Sequence, residues 1–460
     1  MEDKQRRALI ILCGVLGVIL AMMLGWTVFY QCVDRSGWVE KDGFVSYRDF
    51  HGKPVSGWLE LEGNRYCFDN DCHLLTGWQT LEGKRYYFGQ DGAMALAWQG
   101  IDGSRYYFGT DGVMQTGWLT LDGRRYYLLG NGTMATGFHE IGRSTYCFGT
   151  DGVMATGWQT LEDKTYYFAQ DGTMVTGRVT LEGLHYYLQD SGVMYTGWEE
   201  TDQGRRYYDT DGAMASGWCQ IQGKWYYFQE DGLTLTGWYQ EGEYSYYLLE
   251  DGSAAVGPRD IDGQTYYFTP KGIMVVLVNA DNPIPSYYKP EIVNYIPWHD
   301  VAAIALEPLK QMLADCTAAG YPYVFNSAYR TIKVQQDILS TRTQEYINAG
   351  MEPEEAYAEA RKTVALPGTS EHNMGLAMDI LNDKKADKKA LDWLGQHCWE
   401  YGFILRYPPE KGSITGIVHE PWHFRYVGTE VSMDMKHSGL CLEEYLGADP
   451  VTDSTVDSDG

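Results

Sequence analysis

Residues Thr76–Met94 read TGWQTLEGKRYYFGQDGAM. Two short runs rich in aromatic and branched residues are separated by Glu82-Gly83, and the segment closes at Asp91-Gly92. Turns that contain glycine between such runs are typical of β-hairpins. The segment is therefore predicted to be one hairpin, with a first strand around Trp78 and a second strand over Arg85–Phe88.

This pattern recurs with a period of 20 residues over most of the N-terminal half of the chain. A glycine recurs at this period and is usually followed by tryptophan, as at Trp58, Trp78, Trp118, Trp158, Trp198, Trp218 and Trp238. Such regular self-similarity predicts stacked units that are each too small to bury an apolar face alone. We expect about a dozen hairpins in an all-β solenoid over residues 36–275.

The Gly-Trp pair, the Tyr-Tyr-Phe strand and the Asp-Gly-x-Met turn resemble the cell-wall-binding repeats of the choline-binding family. The resemblance implies a cell-wall polymer as partner (teichoic acid, choline or glycan), bound in aromatic pockets between repeats. Only Trp225, before Tyr226 and Tyr227, keeps a tryptophan that choline-binding repeats usually carry there. A carbohydrate or other wall polymer is therefore favoured over choline. The candidate ligand-binding residues are Trp218, Trp225, Tyr226 and Trp238, with packing in the solenoid core as the alternative for each.

The N-terminus contains an uncharged apolar run over residues 8–30, long enough for a transmembrane helix. Lys4, Arg6 and Arg7 precede this run, which predicts a cytoplasmic tail over residues 1–7 and places the rest of the chain outside the cell. A cleaved signal peptide is the alternative. The expected location is the cell membrane, single-pass, with the C-terminal part in the cell wall.

Charge and cysteine content restrict the remaining possibilities. The formal net charge of -26 argues against nucleic acid as a partner. The cysteines form no C-x-x-C pair, which disfavours a thiolate zinc site. Cys67 and Cys72 are the nearest candidate disulfide pair, although single core cysteines are the commoner explanation. Residues 447–460 are acidic and lack large hydrophobic side chains, so a disordered tail is expected.

A small α+β domain is predicted over residues 276–446, where the repeat ends near Leu277. Apolar residues at helical spacing predict helices over Ala302–Ala318, Glu354–Thr363 and Leu391–Tyr401. Short apolar runs predict strands over Tyr323–Ser327, Leu376–Ile380, Phe403–Tyr407 and Trp422–Val427. The chain is therefore expected to be multidomain, with a transmembrane helix, a solenoid and this α+β domain.

Two polar clusters lie in apolar segments of this domain. Gly368–Ile380, GTSEHNMGLAMDI, contains His372 and Asp379, and Gly416–Gly428, GIVHEPWHFRYVG, contains His423. Two imidazoles and one carboxylate, with a fourth position left for water, are the ligand set of a catalytic zinc site. Taken singly, each of these residues is more often a hydrogen-bonded structural group.

Glu420 lies three residues before His423. In a regular strand that offset would direct the two side chains to opposite faces. Pro421 between them is therefore predicted to mark a bulge or turn that lets both face one cavity.

The two clusters, S-x-H-x-x-G-x-A-x-D over Ser370–Asp379 and E-x-W-H over Glu420–His423, resemble the VanY-type zinc D-Ala-D-Ala carboxypeptidases. These enzymes belong to the wider family of lysostaphin-like and D-Ala-D-Ala metallopeptidases. The segments SAYR, Ser327–Arg330, and YGFILRYP, Tyr401–Pro408, add to the match. The resemblance implies Zn2+ as cofactor and peptidoglycan stem peptides as substrate.

The resemblance also implies roles for eight residues. They comprise the zinc ligands His372, Asp379 and His423, the general base and acid Glu420, the cation at the reacting carbonyl Arg330, and the substrate-binding residues Ser370, Gln335 and Trp422. His419 is left without a role.

The predicted function is a zinc D,D-carboxypeptidase that removes the terminal D-Ala from stems ending in D-Ala-D-Ala. An L,D-carboxypeptidase or a stem-peptide endopeptidase of the same family is the alternative, because the metal and base chemistry is shared. A rival of another class is a wall-binding adhesin with an inactive peptidase domain, against which the complete ligand and base set argues. The sequence does not distinguish between wall maturation and glycopeptide resistance as the cellular role of this activity.

Overall fold

The computed structural model describes residues 14–24, 35–385 and 389–452. The chain divides into two compact units, Met1–Tyr195 and Thr196–Gly460. The first unit contains hairpin repeats, and the second contains further repeats followed by a domain with helices and a sheet. The predicted multidomain organisation is confirmed.

The predicted transmembrane helix over residues 8–30 is described only in part. Residues 14–24 form helix α1, whereas residues 8–13 and 25–30 lie outside the described residues. Within the described ranges, no helix is long and apolar enough to cross a membrane. The predicted transmembrane segment is therefore not shown by the structure.

The repeats of the first unit are antiparallel hairpins of two five-residue strands. In the hairpin of Thr76–Met94, Glu82 and Gly83 both have positive φ angles, 51° and 75°. Two successive positive φ angles define the type I′ turn that suits the twist of a hairpin. The strands are β1 Gly37–Lys41, β2 Phe44–Arg48, β3 Gly57–Leu61, β4 Asn64–Phe68, β5 Gly77–Leu81, β6 Lys84–Phe88, β7 Ala97–Ile101, β8 Ser104–Phe108, β9 Gly117–Leu121, β10 Arg124–Leu128, β11 Gly137–Ile141, β12 Ser144–Phe148, β13 Gly157–Leu161, β14 Lys164–Phe168, β15 Gly177–Leu181 and β16 Leu184–Leu188.

The Asp-Gly-x-Met segment of each repeat attaches it to the preceding repeat. The backbone N–H of Met114 donates to the carbonyl of Arg85 at 2.8 Å. Gly112 has a φ of +79°, and a Cβ at this position would collide with the side chain of Met94. Glycine therefore supplies both the left-handed conformation and the space that the methionine of the previous repeat fills.

Aromatic side chains form the core of the stacked hairpins. The ring of Trp78 contacts Tyr87 across its own hairpin and Tyr106 of the next, with centroid separations of 5.3 and 4.8 Å. Phe88 and Phe108, at the ends of the second strands, are completely buried. Each hairpin therefore depends on its neighbour to bury its aromatic residues, as the period predicted.

The second unit begins with four more hairpins, the last of which gains a third strand. These strands are β17 Gly197–Thr201, β18 Gly204–Tyr208, β19 Gly217–Ile221, β20 Lys224–Phe228, β21 Gly237–Glu241, β22 Tyr244–Leu248, β23 Gly257–Ile261, β24 Gln264–Phe268 and β25 Met274–Val275.

The α+β domain contains a hairpin, β26 Ile292–Ile296 with β27 His299–Ala302, and an antiparallel sheet in the order β28-β29-β31-β30. The strands of this sheet are β28 Tyr323–Ser327, β29 Ala377–Asn382, β30 Phe403–Leu405 and β31 His423–Tyr426. The helices are α2 Ala303–Ala318, α3 Ile332–Asn348, α4 Pro353–Arg361, α5 Ala390–His397, α6 Gly412–Thr415, α7 Thr429–Ser438 and α8 Leu442–Leu446. Two 3-10 helices cover Glu371–Met374 and Cys398–Tyr401.

Helix α2 packs with the sheet to form the main core of this domain. Leu309 and Met312 on the helix and Met378 and Ile380 on β29 are all completely buried in one cluster. The strand predicted over Tyr323–Ser327 is present with the same bounds. Helices α3, α6, α7 and α8, the 3-10 helix Glu371–Met374 and the hairpin β26–β27 were not predicted.

The last repeats pack against the α+β domain through a second apolar cluster, which we call the junction cluster. Leu248 of β22 and Val275 of β25 share it with Leu442 and Leu446 of α8. The hydroxyl of Tyr426 also donates to Glu243 at 3.0 Å. The final hairpins and the α+β domain are therefore one packed body.

The structure excludes the candidate disulfide, in agreement with single core cysteines as the commoner explanation, and it corrects part of the predicted disordered tail. Cys67 and Cys72 are free thiols rather than a disulfide, and Cys67 is buried in the repeat core. Within residues 447–452 of the predicted disordered tail, Val451 is 4% exposed and the N–H of Thr452 bonds Asp281, so the end of this segment is attached to the domain although most of its residues are exposed. Residues 453–460 of that prediction lie outside the described residues.

Candidate active site

Strand pairing brings two predicted metal ligands together. Asp379 on β29 lies directly opposite His423 on β31 in the antiparallel register. His423 Nδ1 is 3.3 Å from Asp379 Oδ1, and both side chains are buried. Because directly opposite residues have neighbouring side chains, the sheet itself sets this separation.

The third predicted ligand, His372, comes from the 3-10 helix just before β29. Its Nε2 is 3.3 Å from Asp379 Oδ1, and its Nδ1 bonds the carbonyl of Ala328 at 2.7 Å. The helix ends at Gly375, which has a φ of +72° and lies so close to Ala302 that a Cβ would meet its backbone nitrogen at 2.8 Å. Glycine at this position lets the chain turn directly from His372 into β29.

These three side chains fit a divalent metal ion. Their ligand atoms all lie within 4.8 Å of one another. Asp379 Oδ1, buried between the two imidazoles, has no hydrogen-bond partner. A buried carboxylate oxygen without a donor is costly, and a cation held by the three groups would satisfy it. The structure thus supports binding through His372 Nε2, Asp379 Oδ1 and His423 Nδ1, a donor set that suits zinc.

Arg330 forms a hydrogen bond with the other carboxylate oxygen of Asp379. Its guanidinium donates to Asp379 Oδ2 at 2.7 Å, to Ser327 Oγ at 2.9 Å and to Gln335 Oε1 at 3.3 Å. Gln335 is buried and donates to the carbonyl of Ala365. Arg330 therefore leaves a single carboxylate oxygen of Asp379 free for a metal, and Gln335 holds Arg330 in place.

Glu420 lies beside the ligands, as predicted, because Pro421 and Trp422 form a turn before β31. The N–H of His423 bonds the carbonyl of Glu420, and Glu420 Oε2 is 3.6 Å from His423 Nδ1. Burial raises the pKa of Glu420 to about 7, with Asp379 adding to the shift. A carboxyl group with such a pKa can both accept and return a proton near neutral pH.

The imidazoles and the aspartate have different proton affinities. Burial lowers the pKa of His372. Burial also opposes charge on His423, but the neighbouring carboxylates of Asp379, Glu371 and Glu420 outweigh burial and raise the pKa of His423 to about 9. Burial alone would raise the pKa of Asp379, but the two imidazoles hold this pKa well below its usual value. The metal-free site thus favours an ionised Asp379 beside a protonated His423.

A cavity of about 210 Å³ opens onto these groups. All eight residues with predicted roles line it, so the structure brings them together. Seven further residues line it that the sequence reasoning did not single out: Ile338, Arg342, Thr363, Val364, Ala365, Tyr407 and Ile417.

Sequence reasoning also missed a buried charged residue behind the ligands. Glu371 is completely buried and lies between Arg406, Arg425 and His423. The signal was present, because an acidic residue stands inside an otherwise apolar motif directly before His372.

The predicted ligand-binding residues of the repeats are not brought together in one open pocket. Tyr226 is buried at 6% exposure, and Trp225 packs against the junction cluster. The indole N–H of Trp218 donates to Glu241 at 2.9 Å. Of the four residues, Trp238 is the one with a largely exposed ring, at 46%. Packing is therefore the main role of Trp225 and Tyr226.

Arginines cover many of the other tryptophans. In five hairpins an arginine of the second strand lies over the indole, with its Cζ between 4.1 and 4.8 Å from the ring centroid. These pairs are Arg65 with Trp58, Arg85 with Trp78, Arg105 with Trp98, Arg125 with Trp118, and Arg205 with Trp198. One face of each of these rings therefore already holds a cation, with which a quaternary ammonium group would have to compete.

The sheet and the arrangement of side chains around Asp379 are those of a metal-dependent hydrolase. A family profile described as VanY, D-alanyl-D-alanine carboxypeptidase, matches residues 298–429. Profiles described as choline-binding repeat match segments between residues 97 and 257, and a putative cell wall binding repeat matches residues 76–94. The chain belongs to the VanY family of D-alanyl-D-alanine carboxypeptidases, which confirms the family predicted from the sequence.

Several relatives carry this similarity. A D-alanyl-D-alanine carboxypeptidase of Enterococcus faecalis is 43% identical over 38% of this chain and 66% of its own length. VanXYC of Enterococcus gallinarum, a bifunctional D-Ala-D-Ala dipeptidase and carboxypeptidase, is 37% identical over 37% of this chain and 91% of its own length. A further D-alanyl-D-alanine carboxypeptidase, from Enterococcus faecium, is matched over 42% of its own length.

Solved structures resemble different parts of the chain. A VanY D,D-pentapeptidase mutant in complex with Zn(II) is 40% identical over 37% of this chain and 97% of that chain, with a TM-score of 0.36. CbpJ from Streptococcus pneumoniae is 27% identical over 52% of this chain and 100% of that chain, with a TM-score of 0.40.

Proposed function

We propose that the chain is a zinc-dependent D,D-carboxypeptidase that removes the C-terminal D-Ala from peptidoglycan stem peptides ending in D-Ala-D-Ala. The observation that carries the proposal is the unpartnered Oδ1 of Asp379 between two imidazoles, with Glu420 beside them. Two histidines, one carboxylate and an adjacent acid are the parts that a zinc peptidase requires. An adhesin with an inactive domain would have no chemical need for this arrangement.

A zinc ion held by these ligands would act as a Lewis acid and lower the pKa of a water molecule toward about 7. Glu420 accepts a proton from the attacking water and returns it to the nitrogen of the departing D-Ala. Arg330, at the wall of the cavity, stabilises the negative charge that develops on the carbonyl oxygen.

The remaining cavity residues bind the substrate and exclude water. Ser370, which is 5% exposed, offers a hydroxyl to the terminal carboxylate of the stem. Trp422 and Tyr407 wall the cavity beside Glu420 and strengthen the electrostatic interactions there. A chain whose C-terminus is amidated or extended would leave the buried hydroxyl poorly paired and would be rejected.

Mass spectrometry of the products from three synthetic stems tests the proposal with the full chain. Loss of one alanine from the pentapeptide, and from neither the tetrapeptide nor the amidated pentapeptide, is expected. Loss from the tetrapeptide alone would indicate an L,D-carboxypeptidase, and cleavage of the amidated stem would indicate an endopeptidase. Release of intact D-Ala-D-Ala would indicate a dipeptidase.

We further propose that the repeats hold the enzyme in the cell wall, where they would raise the local concentration of stem peptides. Support comes from the match of the repeats to choline-binding and cell wall binding profiles. The single-pass membrane anchor over residues 8–30 stays a prediction from the sequence. Sedimentation of the chain with purified cell walls tests wall retention, and its absence would leave the repeats as a spacer.

A further inference from the structure

Glu371 uses one carboxylate oxygen for two arginines and leaves the other without a hydrogen bond. Its Oε1 accepts from Arg406 Nε at 2.7 Å and from Arg425 Nη1 at 2.8 Å. Its Oε2 has no hydrogen-bond partner and lies 3.5 Å from His423 Nε2, which also has none. The two unpartnered atoms face each other behind the metal ligands.

The surrounding charges fix the position of Glu371. Arg406 also donates two hydrogen bonds to Glu443, at 2.6 and 2.8 Å, and all three side chains are completely buried. With Arg425, the group contains two cations and two anions, so its net charge is zero. Buried charges that are paired in this way have few alternative positions, because any movement leaves one of them unpaired.

We propose that Glu371 is a positioning residue whose carboxylate accepts a hydrogen bond from the Nε2–H of His423. This inference rests on the proposed metal function. A neutral imidazole carries one proton, so a proton held on Nε2 leaves Nδ1 unprotonated. Nδ1 is the atom that faces Asp379 Oδ1 at 3.3 Å. Glu371 thereby selects the tautomer of His423 that binds the metal, as carboxylates behind metal-binding histidines do.

Some of the residues that hold Glu371 beside His423 lie outside residues 298–429, the segment that matches the family profile. Glu443 lies on α8, after residue 429, and accepts from the side-chain amide of Asn279 at 3.1 Å. Arg425 donates to the carbonyl of Val276, directly after the last repeat strand. The linker and the C-terminal helix therefore hold the two arginines that hold Glu371.

Glu371→Gln in the full chain tests the proposal. The amide oxygen of glutamine would face the two arginines, so its NH2 group would face His423 Nε2 and favour the opposite tautomer. We expect zinc affinity, measured by competition with a chromophoric chelator, to fall about 10- to 100-fold. The visible absorption of the cobalt-substituted protein should change as well, because the ligand geometry changes. Unchanged affinity and an unchanged spectrum would overturn the proposal.

Glu444→Gln is the control, since it removes a carboxylate of α8 that pairs with Lys411 and takes no part in the buried group around Glu371. It should lower the melting temperature while leaving zinc affinity within about threefold. Equal losses of affinity in both variants would show that Glu371 acts only on stability, and the proposal would fail.

A crystal structure of the zinc-loaded wild-type chain provides a readout that does not depend on a variant. Binding through Nδ1, with Nε2 within hydrogen-bond distance of Glu371, is expected. Binding through Nε2 would overturn the proposal. D-Ala release by the wild type is measured separately, so failure of the positioning role is distinguishable from failure of the proposed function.

Discussion

His423 Nδ1 lies 3.3 Å from Asp379 Oδ1 because the two residues are directly opposed on neighbouring antiparallel strands. Sheet register thus sets the separation of two candidate metal ligands that are 44 positions apart in the sequence. A shift of one residue in the pairing would direct one of them to the other face of the sheet.

The first prediction separates metal binding from proton transfer. Glu420→Gln should retain zinc and lose about 10²- to 10⁴-fold in kcat, because Glu420 carries the proton but does not bind the metal. His423→Ala should lose the metal itself. Metal analysis of the folded chain and the rate of D-Ala release check both expectations.

His437→Ala is the control for removal of a histidine, since His437 is exposed on α7. It should leave both metal content and rate unchanged. Full activity in Glu420→Gln would remove Glu420 from the mechanism, and wild-type zinc content in His423→Ala would refute the ligand assignment.

The second prediction concerns the pH dependence of metal binding. In the metal-free chain the pKa of His423 is raised to about 9, so below that pH a proton must leave before Nδ1 can bind zinc. Zinc affinity should therefore rise with pH, by about tenfold per unit between pH 7 and 9, and level off above 9. His372 contributes no such proton, because burial lowers its pKa.

Calorimetry of zinc binding at pH 7.5 in two buffers of different ionisation heat measures the proton released. About one proton per zinc from the protein is expected. The same affinity at pH 7 and pH 9, together with no proton release, would contradict the raised pKa of His423.

The third prediction concerns the junction cluster. Residues 276–460 without the repeats would expose Leu442 and Leu446 of α8, which now pack against Leu248 and Val275. Each large apolar side chain contributes about 1.5–3 kcal/mol when buried, so the shortened chain should lose several kcal/mol of unfolding free energy. Residues 196–460 keep the cluster and should unfold cooperatively at a higher temperature. Equal melting temperatures for the two fragments would show that the repeats contribute nothing to the stability of the domain.

The hairpins could be predicted because each repeat specifies its own turns and aromatic positions. The candidate ligands His372, Asp379 and His423 could be singled out because they stand in apolar segments whose motifs resemble a known family. Helix α3 was missed since it buries only Gln335 and Leu339 and so has little apolar periodicity, although Thr331 caps its N-terminus by accepting from the N–H of Val334.

The buried charged group and the packing of Trp225 were missed because both depend on contacts between residues that are distant in the sequence. Glu371, Arg406, Arg425 and Glu443 are far apart in the chain and meet only in the folded domain. Trp225 fits a ligand-binding pattern, but it lies next to the junction cluster, and that packing is absent from the repeat pattern itself.

The fourth prediction compares two tryptophans of the first unit. Arg125 lies over the ring of Trp118 with its Cζ 4.2 Å from the centroid, whereas Thr165 occupies the same place in the hairpin of Trp158. Both indoles are 38% exposed. The described residues place no arginine or lysine over Trp158, so its face is open to a cationic ligand.

A quaternary ammonium group and a guanidinium compete for the same ring face, where the interaction contributes about 0.5–1 kcal/mol at an exposed site. Thr165→Arg should therefore reduce the quenching of tryptophan fluorescence by choline, and Arg125→Thr should increase it. Arg124→Thr is the control, because Arg124 directly precedes Arg125 on the same strand and successive residues of a strand point to opposite faces. Quenching that responds equally to Arg124→Thr and Arg125→Thr would mean that net charge, and not access to the ring, decides choline binding. If none of the three substitutions changed the quenching, the repeats would bind their wall polymer elsewhere than on these tryptophan faces.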